Sequence, residues 1–178
     1  MSRRKVSMMI LCEDRQQEVF ARHYLIQCGV PRANIRTKIC LGGSGEQYVR
    51  EQYPVEVRAH RSKSSFLSVG LTVVTDADTL SVQDRLRNLD EELLASSQQG
   101  RQINERIGIF VPKRNIETWI HYLKGEIVNE EKSYAKFQCE SDCKPLVEVL
   151  FQRCVNGLES GAPDSLRQAC SELKRVLS

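Results

Sequence analysis

The segment Leu71-Thr72-Val73-Val74-Thr75-Asp76-Ala77-Asp78-Thr79 ends an apolar, β-branched run in two aspartates one residue apart. Residues i and i+2 of an extended segment point to the same side, so Asp76 and Asp78 can present their carboxylates together just beyond a buried strand. Two carboxylates that close repel each other unless a cation lies between them, and a divalent metal is the usual one. A second acidic strand end, Met8-Met9-Ile10-Leu11-Cys12-Glu13-Asp14, comes much earlier. If the two strands are neighbours in a parallel sheet, Glu13, Asp76 and Asp78 meet at the edge where such sheets carry their functional crevices. Mg²⁺ (or Mn²⁺) takes oxygen ligands and keeps several waters, so a few carboxylates plus a substrate phosphate suffice to hold it. There it can polarise a phosphoryl oxygen or lower the pKa of an attacking water.

The elements that must position these residues alternate along the chain. Lys5 to Cys12 reads as a buried strand, and Arg15 to Cys28 as a helix stopped by Gly29. Asn34 to Leu41 reads as a second strand. Glu46 to His60 is helical in pattern, with an interruption expected near Pro54. Val69 to Thr75 is the third strand. Ser81-Val82-Gln83-Asp84 has the form of a capping box, followed by Val82, Leu86, Leu89 and Leu93 on one helical face. Arg106 to Val111 is a fourth strand, and Ile116, Trp119, Ile120 and Leu123 mark a helix closed by Gly125. The order predicts an α/β fold, a parallel sheet of at least four strands with helices on both faces. Residues 1–125 form this domain in the reading. Residues 126–178 form a helical C-terminal extension packed on it, with a polar, mobile stretch from Glu126 to Gln138 and helices over roughly Cys143 to Val155 and Pro163 to Leu177.

Composition sets bounds. A chain of 178 residues suits one domain with a sizeable core. A formal charge of +3 does not by itself argue for nucleic acid. The seven cysteines (Cys12, Cys28, Cys40, Cys139, Cys143, Cys154, Cys170) are odd in number, and several fall on apolar positions where a thiol acts as a small hydrophobe. Neither a secretory pattern nor a bilayer-length apolar segment is visible, so no membrane association and a reducing cytoplasm are expected.

Three segments resemble the Toprim fold, and within it small prokaryotic Toprim-like proteins, many linked to phage defence. These typically open with Glu-Gly-x-Thr-Glu, carry an Asp-x-Asp strand end and continue with a Pro-Arg-x-x-Glu-x-Trp-like segment. The matching pieces are Glu13-Asp14-Arg15-Gln16-Gln17, Asp76-Ala77-Asp78 and Pro112-Lys113-Arg114-Asn115-Ile116-Glu117-Thr118-Trp119. The resemblance implies Glu13, Asp76 and Asp78 as metal ligands and Glu117 as a further acidic residue beside the site. Lys113 and Arg114 would contact a phosphate. It departs at Asp14, where the pattern has glycine, and at Gln17, where a second Glu is usual. The function so implied is Mg²⁺-dependent, nuclease-like processing of nucleic-acid phosphodiesters, set in prokaryotic antiviral defence. The alternative is a non-catalytic Toprim-like partner subunit of a larger ATPase or nuclease.

Other signals are weaker. Arg58, His60, Arg61 and Lys63 form a basic cluster that would track a nucleic-acid backbone, or a solvated helix end. Gly42-Gly43-Ser44-Gly45 reads as a tight turn, since no Gly-Lys-Ser/Thr follows it. Cys139, Cys143, Cys154 and His121 lack a recognised zinc spacing, and His23, His60 and His121 are too scattered for a triad. The Thr72–Leu80 segment also resembles the first motif of haloacid-dehalogenase-type phosphatases. It stands third in strand order here, with no Asp-Asp pair after it.

Overall fold

The computed structural model describes residues 5–178; the first four residues of the expected 1–125 domain lie outside them. Four strands form one sheet: β1 (Ser7–Cys12), β2 (Ile35–Ile39), β3 (Val69–Val74) and β4 (Ile107–Phe110). Their order is β2-β1-β3-β4 and every pairing is parallel. The β1/β3 register sets Leu11 beside Val73 and Cys12 beside Val74, so the two strands end level with each other.

Right-handed crossovers distribute the helices between the faces. The chain leaves β1 for β2 on one side, then passes back over β1 to β3 and on to β4. Helix α1 (Arg15–Gln27), which makes the first crossing, therefore lies on one face. Helices α2 (Gly45–Ser64) and α3 (Val82–Ala95) lie on the other. The alternation of strand side chains matches these layers. Met8, Ile10 and Cys12 join Phe20, Tyr24 and Trp119 in one apolar core, while Leu11, Leu71 and Val73 join Val49, Tyr53, Val57, Leu89 and Leu93 in the other.

Helix α4 (Ile116–Leu123), α5 (Lys144–Asn156) and α6 (Asp164–Leu177) complete the α1 side. Val147, Leu150, Leu166, Leu173 and Val176 belong to the same core as β1 and α1, so the C-terminal helices share the domain's interior. Helix α6 lies against β4. The Glu172 carboxylate accepts from the Ile109 N–H at 2.8 Å and the Arg101 guanidinium donates to the Ile107 carbonyl at 2.9 Å. Gly108 permits the approach, because a Cβ there would fall 2.2 Å from Val176 Cγ2.

Three expectations need correction. Helix α2 runs unbroken through Pro54, whose ring is buried and whose carbonyl accepts from Gln98 Nε2 at 2.8 Å; packing against the neighbouring layer outweighs the lost helical bond. The 126–138 stretch is not free. Tyr134 and Phe137 pack on the His121 ring, Glu130 accepts from Ser165, and Lys113 pairs with Glu131. Finally, Cys154 and Cys170 are not reduced but form a disulfide between α5 and α6, which also removes Cys154 as a zinc ligand. Among the described residues, no helix is long and apolar enough to cross a membrane.

Candidate acidic site

The strand order reverses between β1 and β3, and the crevice of an open parallel sheet lies at such a switch point, beyond the carboxyl ends of the strands. Glu13 follows β1 there, and Thr75-Asp76-Ala77-Asp78 follows β3. The loop after β3 prolongs the sheet. Thr75 N donates to Phe110 O, Ala77 N to Pro112 O and Asp78 N to Arg114 O, at 3.1, 2.9 and 3.2 Å. This stitching brings the Pro112–Glu117 segment beside the acidic loop. Asp78 and Arg114 both hold left-handed backbones, with φ of 53° and 74°. For a residue with a Cβ this costs about 1–3 kcal/mol, less for aspartate, and the surrounding structure must enforce it.

Five carboxylates interact across the crevice: Glu13, Asp14, Asp76, Asp78 and Glu117. Glu13 turns inward. Its Oε1 accepts from the Thr75 hydroxyl at 2.5 Å and from the Asp76 N–H at 2.8 Å. Asp76 is buried, and its Oδ1 has no hydrogen-bond partner. Glu117, in the first turn of α4, is 1% exposed with an unpartnered Oε1. Asp14 caps α1 by accepting from Gln17 N at 2.9 Å, and its other oxygen lies 3.6 Å from Lys136 Nζ. Asp78 is the exposed member, its side chain 59% accessible and 3.6 Å from the Arg85 guanidinium.

Crowding and burial act together on these acids. Burial pushes the Glu13 carboxyl up to about 7, partly offset by the Thr75 and Asp76 hydrogen bonds. Burial raises Asp76 well above the usual carboxylate range, and the Glu13 and Glu117 charges raise it further. Glu117 is raised by burial and then by Asp14. A site that holds several carboxyls above their ordinary range without a cation is one that a cation would charge.

Residues that sequence reasoning passed over support the loop. Arg85 is buried, donating Nε to Asp76 O at 3.0 Å and Nη1 to Glu46 Oε1 at 2.5 Å. Its position was legible, since it precedes Leu89 and Leu93 by four and eight and so shares their buried face. Gly45, the first residue of α2, lets the start of that helix touch Glu13; a Cβ there would sit 2.7 Å from Glu13 Cβ. Gln17 is fully buried, its Oε1 accepting from Glu13 N at 2.9 Å. No sequence signal marks these last two contacts.

The donors are hard oxygens, and the orphaned Asp76 Oδ1 and Glu117 Oε1 suit Mg²⁺ or Mn²⁺. Among the described residues, however, no three His, Cys, Asp or Glu side chains converge in a geometry that holds a metal ion. The reason is visible: Glu13 is turned to Thr75 and Asp78 to Arg85. Glu13, Asp76, Asp78, Glu117, Lys113 and Arg114 nonetheless lie at one edge. The Lys113 ammonium is engaged by Glu131, while Arg114 Nε is buried without a partner. Arg58, Arg61 and Lys63 lie in the second half of α2, which runs away from this edge for about 30 Å. Arg61 is committed to Glu105 and to the Gln99 and Gly100 carbonyls, and Arg58 to the Ser96 carbonyl. They are not part of the acidic site. Compared with protein-family models, with curated proteins and with solved structures, the chain shows no match.

Proposed function

We propose that the acidic crevice binds Mg²⁺ or Mn²⁺ together with a phosphodiester, and that the protein processes nucleic acid there in a nuclease-like way. One observation carries the reading: a buried Asp76 carboxylate with an unpartnered oxygen, set beside Glu13 and Glu117 at the switch point of a parallel sheet. Glu13 and Asp76 would hold the ion, with Asp78 joining by rotation from Arg85. One or two carboxylates completed by waters and a substrate phosphate are an ordinary Mg²⁺ environment. When bound, the ion would supply charge stabilisation at the phosphoryl group. Arg114 offers its unpartnered Nε to a phosphate oxygen. Glu117, held toward its protonated form by burial, can carry a proton next to the reacting phosphate.

One observation favours the alternative of a non-catalytic partner for a larger ATPase or nuclease. Gln17 occupies the position of the second Glu in the Toprim pattern and spends its oxygen on the Glu13 N–H, so it offers no second acidic ligand. Calorimetric titration with Mg²⁺ and Mn²⁺ separates the readings. Saturable binding by the wild type, lost in Asp76→Ala/Asp78→Ala, followed by cation-dependent cleavage of single- or double-stranded nucleic acid, is expected. Binding without cleavage would favour the partner role. Absence of binding would refute the metal site.

A further inference from the structure

A second cleft, of about 580 Å³, opens at the opposite edge of the sheet. It exists because β2 is an edge strand that α2 does not cover. Ile35 and Thr37 turn to the α1 side, where Ile35 joins the core and Thr37 accepts from Arg22, so Arg36 and Lys38 turn to the α2 side. The floor is apolar, made by Met9, Val69 and Leu71, and the wall is the last turns of α2. The volume lies in the range of small-molecule sites.

Three cations around it are unspent. Lys5, Arg36 and Lys63 line the cleft and make no ion pair or side-chain hydrogen bond among the described residues. The one carboxylate in the lining, Glu56, is already paired with Lys38 at 2.5 Å. His60 lines the same cleft, is 7% exposed, and leaves its buried Nδ1 without a partner. A buried polar atom costs free energy unless something bonds it. Three free cations and a buried imidazole over an apolar floor define a complementary shape: one anionic group joined to one flat apolar body.

We propose that this cleft is a ligand site, distinct from the acidic crevice, for a small molecule that joins a phosphate to an aromatic ring, such as a nucleoside monophosphate. The phosphate meets Lys5, Arg36 and Lys63, His60 bonds the polar atoms deeper in, and the ring lies over Met9 and Leu71. Nothing in this assignment depends on metal binding, since the cleft lies near the far end of α2.

The test is NMR of the full chain labelled at the methionine methyl groups, titrated with 1-naphthyl phosphate and with AMP. Met8 and Met9 both line the cleft, and Met9 packs on the α2 side with Leu71, where the ring is placed. The Met9 methyl should shift saturably. Arg36→Glu/Lys63→Glu, which changes only exposed side chains, should weaken binding by about tenfold or more. Ala59→Phe, which fills the cleft without touching its charges, should abolish the shift, and inorganic phosphate alone should bind more weakly than either probe. A Met9 signal that never moves, or a shift that survives both variants undiminished, overturns the proposal.

Discussion

Replacing Arg85 by Met tests whether the acidic loop is held from beneath by a buried cation. The substitution keeps the apolar stem and deletes the guanidinium. Two good bonds are lost, to Asp76 O at 3.0 Å and to Glu46 Oε1 at 2.5 Å, with weaker contacts to Ala77 O at 3.5 Å and Asp78 at 3.6 Å. Bonds that involve a charged group contribute about 1.5–3 kcal/mol each. Glu46 is a quarter exposed and regains water, which lowers the sum. A loss of about 3 kcal/mol follows, read as a fall in the urea midpoint at pH 7 with an unchanged slope. Glu46→Gln alone should cost less, and the double variant should show a coupling of about 1–2 kcal/mol between the two side chains. The loop should loosen as well, with faster hydrogen exchange at Ala77 and Asp78. A loss under about 1 kcal/mol, or independent effects of the two substitutions, would refute the bracing role.

Without a divalent cation, stability should fall as pH rises from about 4.5 to about 7. Glu13, raised by burial to about 7, together with the raised Asp76 and Glu117, makes the folded state bind more protons than the unfolded one in that window. Asp76→Asn should flatten the slope, and thermal melts across pH would show it. Gly45→Ala should cost about 1–3 kcal/mol and displace Glu13, because the new Cβ meets Glu13 Cβ at 2.7 Å; chemical denaturation of the variant checks this. Reducing the Cys154–Cys170 disulfide, which spans a separation of 16 residues, should cost about 3 kcal/mol in a reductant-dependent melt. Cys154→Ala/Cys170→Ala should be insensitive to reductant.

The layers were legible because burial writes period and length into sequence. Apolar runs marked the four strands, Ser81 marked the start of α3, and its side chain accepts from Asp84 N at 3.0 Å. The level ends of β1 and β3 put Glu13 and the Asp76/Asp78 pair at one edge, as their spacing after the apolar runs implied. What local pattern does not carry is the identity of partners across the fold. Arg85 shares the face of Leu89 and Leu93, but nothing local names Glu46 as its partner. Cys170 belongs to an apolar helix face whether or not it is bonded to Cys154, and a sequence reading has no distance with which to pair them. The Arg58–Lys63 run illustrates the same limit: only contacts with Glu105 and the Ser96–Gly100 loop separate the spent arginines from the free Lys63.

The contact of α6 with β4 has a consequence for biosynthesis. An exposed strand edge templates pairing with other chains, and here Glu172 and Arg101 take the groups that a further strand would use. Yet α6 is translated only after the whole of the 126–163 stretch, which takes seconds at ordinary rates of synthesis. For that interval the Ile109 N–H on the edge of β4 lacks its Glu172 partner on the nascent chain. This is when the protein is most exposed to misassembly, and when a chaperone that shields the edge would have its greatest effect.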